Sequence, residues 1–246
     1  MKNLALFGMV ASFCLGGSAA FAATNSLSGA NLIEPLRPCV SQVADEKDGV
    51  SPERKALLDK IAATIASRLK QGNDANLTFV CTHNSRRSHL SQIWAQTAAY
   101  YYGLDRVYAF SGGTEKTACN HRTIAALRRA GFSIVKSTED KNPVYLVQYS
   151  DSRPPVRAYS KIYNSDDNPT KDFIVFMTCS QADKTCPLVT GALARYALLY
   201  VDPKISDDTP EEASTYDARS KEIAREMFYM MSKVRKDLDV TVSAVR

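Results

Sequence analysis

The chain of 246 residues is poor in histidine, with three, and in tryptophan, with one. His83, His89 and His121 form no H-x-x-E-H-type pattern, and Cys179 and Cys186 have no second cysteine pair at finger spacing. A zinc centre is therefore not expected. An excess of one charge is also lacking: 31 Lys and Arg against 26 Asp and Glu leave a net +5, with the basic residues scattered. That argues against nucleic acid as a partner. No internal repeat or low-complexity tract is present. Beyond Phe21 no apolar run is long enough to cross a membrane.

The amino terminus has a composition of its own. Lys2 precedes an apolar, small-residue stretch from Leu4 to Phe21, and Ala20-Phe21-Ala22 fits a small-x-small cleavage site. The expectation is a signal peptide over residues 1–22, a mature chain starting near Ala23, and a periplasmic or secreted protein with no membrane attachment after cleavage. The alternative is a retained anchor, since the stretch is about long enough to span. Cys14 is a poor lipidation site: Phe13 is bulky and the cysteine comes early. Of six cysteines, setting Cys14 aside leaves Cys39, Cys81, Cys119, Cys179 and Cys186. An odd number in an exported protein leaves a thiol unpaired or cycling. Whether Cys39 pairs with Cys119 is left open.

Ala23 to Val50 is polar, carries Pro35 and Pro38, and reads as an extended leader. Ser51-Pro52 starts a helix that Gly72-Asn73-Asp74 ends. Leu77 to Val80 is a short buried strand, Ser88 to Tyr102 a helix, Arg106 to Phe110 a strand and Arg122 to Arg129 a helix closed by Gly131. Two stretches alternating at period two around Pro154-Pro155 read as a β-hairpin inserted over about residues 142–165. Asp172 to Met177 and Tyr196 to Val201 read as strands, and Pro210 to Leu238 as a long amphipathic helix. Strands alternating with helices imply a parallel sheet with helices on both faces. The expected organisation is an extension with a helix over 23–75 and a main domain over 76–246.

Ligands in such sheets sit at the carboxyl ends of strands, and Cys81 lies at one. "CTHNSRRS", Cys81 to Ser88, joins a strand to a helix start. Backbone amides of Thr82, His83, Asn84, Ser85 and Arg86, with the helix dipole, would surround an anion. A thiol in such a place is an effective nucleophile. Arg87, six residues after Cys81, can return a planar fork to grip two oxygens of a tetrahedral oxyanion. Ser88 can donate to the thiolate, and Asn84 tolerates left-handed backbone. A buried core cysteine is the bland alternative.

These residues resemble the Cys-x5-Arg-Ser phosphate loop of the low-molecular-weight protein tyrosine phosphatase superfamily. "AFSGGT", "DFIVFMTC" and "YVDP" are similar to later segments of that family. The resemblance implies a four-stranded parallel sheet flanked by helices, to which this chain adds an amino-terminal helix and the hairpin. It also implies that Asp202 is the general acid. Within the superfamily the chain is most similar to thioredoxin-coupled arsenate reductases, through Cys179, Cys186 and Pro187 in "CSQADKTCP". That likeness implies a Cys81-Cys179-Cys186 thiol relay, no bound cofactor, and an external thioredoxin-like dithiol as reductant. The alternative on the same loop is a phosphatase forming a phosphocysteine, with a phosphoprotein as substrate. A second alternative is an exported oxyanion binder without turnover. The chain departs from the family at His83, where Gly is usual and whose side chain should point outward. It departs also at Arg86, where another Cys is frequent, and at Lys204-Ile205-Ser206, where a phosphatase of this type has aromatic residues.

Overall fold

The computed structural model describes residues 31–186 and 188–244, with side chains to residue 240. The proposed signal peptide, its cleavage point and Pro187 lie outside the described residues. A four-stranded parallel sheet has strands β1 (Ala75–Cys81), β2 (Val107–Gly113), β6 (Phe173–Met177) and β7 (Ala192–Ala197) in the order β2-β1-β6-β7. β1 and β6 are the inner strands and are buried along almost their whole length, because both of their faces are covered; β6 is a continuous apolar run. Cys81 pairs with Gly113 at the carboxyl end of the sheet.

Helix α2 (Pro52–Lys70) begins as its sequence requires: the Ser51 hydroxyl accepts from the Arg54 amide at 3.3 Å and Pro52 takes the first position. Helix α3 (Arg87–Tyr101) is buried on almost every side, packed on the sheet and on α6 (Glu212–Ala244). Trp94 anchors it: the indole meets Phe132 edge-on at 4.9 Å and donates to Ser220 Oγ at 2.9 Å. Gly103, at φ +64°, ends the turn after α3 in a conformation that a β-carbon would strain. Helix α4 (His121–Arg129) follows β2 and is capped by Asn120.

Three expectations need correction. Residues 31–50 are not an extended leader: a 3-10 turn (Glu34–Leu36) leads into α1 (Arg37–Glu46), and Leu32, Leu36, Val40 and Val43 are buried in the main core. The prolines misled, since Pro35 and Pro38 stand at helix starts, where no amide is lost. The inserted hairpin, β4 (Tyr145–Gln148) with β5 (Val156–Ala158), gains a third strand, β3 (Ser133–Lys136), forming an antiparallel sheet of order β3-β4-β5. The last strand is Ala192–Ala197 rather than Tyr196–Val201.

The outer edge of β2 is met by side chains. Gln96 accepts from the Ala109 amide at 3.0 Å and donates to Val107 O at 3.3 Å. Gln92 donates to Ala109 O at 3.1 Å and Asn168 to Ser111 O at 3.0 Å. At Gly113 the insertion takes over, with a parallel bridge to Ile162.

Candidate active site

The turn after Cys81 depends on Asn84, whose backbone is left-handed at φ +45°. Its buried amide is used at both ends: Nδ2 donates to Ser88 Oγ at 2.9 Å, and Oδ1 accepts from the Lys161 amide at 3.0 Å. Ser88 Oγ lies 3.1 Å from Cys81 Sγ. That hydroxyl accepts from Asn84 and keeps its own proton available to a Cys81 thiolate. Cys81 itself is buried, at 3% exposure.

Four of the loop carbonyls are drawn outward. Cys81 O accepts from the Thr114 amide at 3.1 Å, and Thr82 O from the Glu115 amide at 2.8 Å. His83 O accepts from Ser160 Oγ at 2.8 Å and Thr117 Oγ1 at 3.0 Å, while Ser85 O accepts from the Asn120 amide at 3.0 Å. In a planar trans peptide the N–H opposes the C=O, so the amides that follow turn inward. Among the described residues none of the amides from Thr82 to Arg86 donates to another protein group. Together with the first turn of α3 they form an anion cradle. Gly113 permits this closeness: a Cβ there would lie 2.7 Å from Thr82 O and 2.8 Å from the Asn84 amide.

Arg87 and Asp202 meet at the cradle. Arg87 Nη2 donates to Asp202 Oδ2 at 2.6 Å and Nη1 to Tyr200 O at 3.1 Å, while the buried Nε has no partner. Asp202 is fixed by capping the 3-10 turn Pro203–Ser206, its Oδ1 accepting from the Lys204 amide at 3.1 Å. The neighbouring Arg86 side chain donates to Tyr216 OH at 2.7 Å and Asp207 at 3.2 Å, and its Nε lies 3.9 Å from Asp202 Oδ1, so it borders the cradle beside Asp202. His83 is half exposed and faces Glu115 at 3.4 Å. His89 is a core residue beside Ser111 Oγ at 3.2 Å. Burial, with Lys161 adding to it, pushes its pKa down to about 3, so the ring is neutral near pH 7. No group of three or more metal-ligating side chains occurs among the described residues.

Cys179 caps the short helix α5 (Ser180–Thr185), its sulfur accepting from the Ala182 amide at 3.4 Å. The same sulfur is 3.4 Å from Thr82 Oγ1, on the residue after Cys81. Cys81 and Cys179 belong to one buried apolar cluster, against which Cys186 packs. Cys39 and Cys119 are both free thiols rather than a pair, and burial pushes the pKa of Cys119 up.

Sequence reading did not find the braces: Ser160 and Lys161 from the insertion, and the Thr114–Asn120 segment after Gly113. The Gly112-Gly113 pair was the available signal, since adjacent glycines at a strand end mark a close backbone approach.

Residues 76–142 match the low molecular weight phosphotyrosine protein phosphatase family. The match is to that segment of the chain. Relatives of similar sequence include the arsenate reductase of Bacillus subtilis (strain 168), 28% identical over 134 residues, which are 54% of this chain and 78% of the relative. Arsenate reductase 2 of Staphylococcus epidermidis is 25% identical over 125 residues, 51% of this chain and 76% of the relative. Among solved structures, a low-molecular-weight protein tyrosine phosphatase from T. tengcongensis superposes with a TM-score of 0.42 at 14% identity, covering 65% of this chain and 99% of that one. The matched family and these relatives are cysteine-dependent phosphatases and reductases, and the chain is similar to them as an enzyme.

Proposed function

We propose that the protein reduces arsenate to arsenite through three thiols. The observation that carries this reading is the second sulfur at the cradle: Cys179 lies 3.4 Å from Thr82 and shares a buried cluster with Cys81, with Cys186 packed alongside. Arsenate sits among the loop amides and the open Arg87 Nε. Cys81 thiolate attacks arsenic, forming an S–As bond, while Asp202 protonates the departing oxygen, which leaves as water. Cys179 then attacks the Cys81 sulfur. An S–S bond forms, the S–As bond breaks, and its electron pair stays on arsenic as arsenite. Cys186 attacks Cys179, freeing Cys81 and leaving a Cys179–Cys186 disulfide, which an external thioredoxin-like dithiol reduces.

A second reading, phosphomonoester hydrolysis, is favoured by the 2.6 Å contact between Arg87 and Asp202, which holds an acid and base beside the cradle. Here Cys81 forms a phosphocysteine and water, activated by Asp202, hydrolyses it. A binder without turnover has no need of that placement. The amino-terminal stretch supports export to the periplasm or beyond, where the dithiol donor would have to act. Intact mass of protein from the native envelope should show a mature terminus near Ala23; a full-length, membrane-retained chain overturns that part.

The deciding experiment assays the purified protein on arsenate with a dithiol-regenerating system and on an aryl phosphate without one. The reductase reading expects a Cys186→Ser protein to accumulate a Cys81–Cys179 disulfide after arsenate, mapped by mass spectrometry. High aryl phosphatase turnover with no such disulfide would establish the second reading.

A further inference from the structure

Cys179 and Cys186 stand at the two ends of α5, and the backbone between them is helical. The Asp183 amide donates to Cys179 O and the Cys186 amide to Ala182 O, each at 3.0 Å. At the helical rise their α-carbons are roughly 10 Å apart. A disulfide joins α-carbons within about 7 Å, so backbone has to move before these two sulfurs can bond. Cys179 is the less free of the two: it is 2% exposed, with its sulfur at Thr82 Oγ1. The movement therefore falls to the Cys186 end of α5, which is partly exposed.

One side chain grips that end. Arg195, on β7, donates through Nε to Cys186 O at 3.0 Å, and through Nη2 to Asp183 O at 2.8 Å and Asp183 Oδ1 at 2.5 Å. The two carbonyls belong to the last turn, where the helix has no amides of its own to offer them. A cation there also complements the helix dipole. Both side chains of the Arg195–Asp183 pair are partly buried, so these charge-assisted bonds are less screened than surface ones. A helix of six residues that buries only Ala182 is marginal alone, and these bonds are a large part of what closes it.

We propose that Arg195 is a latch on the thiol pair: a positioning residue that keeps α5 closed in the dithiol state and lets go when Cys186 turns to Cys179. The inference rests on the three-thiol relay. In the step concerned, Cys186 thiolate attacks the Cys179 sulfur of the Cys81–Cys179 disulfide. The Cys179–Cys186 bond forms, the older S–S bond breaks, and its electron pair leaves on Cys81 as thiolate. The latch bonds belong to the closed dithiol form and are lost in the disulfide form. Stabilising the dithiol makes the disulfide the easier one to reduce. Arg195 thereby favours regeneration, in which an external dithiol gives two electrons to the Cys179–Cys186 bond and leaves as its own disulfide.

The test needs no arsenate. The whole protein is equilibrated against mixtures of reduced and oxidised dithiothreitol, and the Cys179–Cys186 disulfide is quantified by mass spectrometry after acid quenching and alkylation. Arg195→Met should raise the equilibrium constant for forming that disulfide about tenfold, a fall of about 30 mV in potential. In the reduced variant, amide exchange of the 179–186 peptide should be faster than in the parent. Arg195→Lys should raise the constant about threefold, because an ammonium cannot serve two carbonyls and a carboxylate as a planar fork does. Phosphate affinity at the cradle should be unchanged, since the bonds of Arg195 run to α5. An unchanged constant in folded Arg195→Met overturns the latch and leaves the relay standing. A raised constant with equally weakened phosphate binding overturns it too, because the whole site has then loosened. If Arg195→Met does not fold, an unchanged constant in Arg195→Lys overturns it in the same way. A parent protein that forms no Cys179–Cys186 disulfide in oxidised dithiothreitol overturns relay and latch together.

Discussion

The loop from Cys81 to Ser88 and the segment from Cys179 to Cys186 both present thiols, yet they are held by opposite means. Around Cys81 the carbonyls are tied outward by Thr114, Glu115, Asn120 and Ser160, and Asn84 is buried with both ends of its amide bonded. Helix α5 is six residues long, and Ala182 is its one buried residue. Cys179 is buried at its start, and Cys186, at its end, is partly exposed. The contrast matches two demands. Holding a charged oxyanion needs fixed dipoles. Passing a disulfide from one sulfur to the next needs a segment that can rearrange at low cost, and few buried contacts provide that.

The harshest way to break the contrast is at the fixed sulfur. Cys81→Ser should lower turnover by about a thousandfold or more on any substrate, since a neutral hydroxyl replaces the nucleophile. Residual turnover near the parent level would remove the cradle from the reaction. Asp202→Asn should cost about a hundredfold in kcat through loss of the proton donor, with KM changed much less, as steady-state kinetics would read. Asn84→Ala removes two buried hydrogen bonds and puts alanine in a left-handed position. A loss of about 2–4 kcal/mol in denaturant unfolding is expected, with weaker oxyanion binding. On the other side of the comparison, Ala182→Gly in α5 should cost only about 1 kcal/mol by the same measurement. A larger loss there would mean that α5 is as firmly held as the loop.

A further test is a pH dependence that belongs to the fixed side and vanishes near neutral pH. His89 has a folded pKa of about 3, below the ordinary 6.5, so the unfolded chain takes up a proton that the folded one refuses. Its contribution to stability is complete above about pH 6.5 and declines as the pH falls toward 3, by up to about 1.4 kcal/mol per unit. His89→Gln should flatten that part of the stability profile measured by chemical denaturation. An unchanged slope would show that the ring is not the group responsible.

What was legible in the sequence follows the same division. Strand, Cys-x5-Arg-Ser and helix are consecutive, so β1, the loop and α3 could be read from one local stretch. Asn84 was identified from backbone tolerance alone. The insertion was recognised as β structure by its period-two pattern, but its service to the loop was not. That service runs through the Lys161 backbone amide and the Ser160 hydroxyl, 77 residues from their partners Asn84 and His83. A contact made by a backbone amide leaves no mark on residue choice. α1 was missed because a polar run with two prolines looks extended until its apolar face, Leu36, Val40 and Val43, finds α6 to cover it.

The glutamines on α3 have a consequence for how copies of this chain can meet. Gln92, Gln96 and Asn168 occupy the outward main-chain groups of β2, so that side of the sheet offers no template to a foreign strand. Of the two edges of the four-stranded sheet, only β7 remains open. A sheet that can be lengthened at one end only can pair once with another copy, edge to edge, and then stops. Through the four-stranded sheet, copies therefore cannot add from both sides.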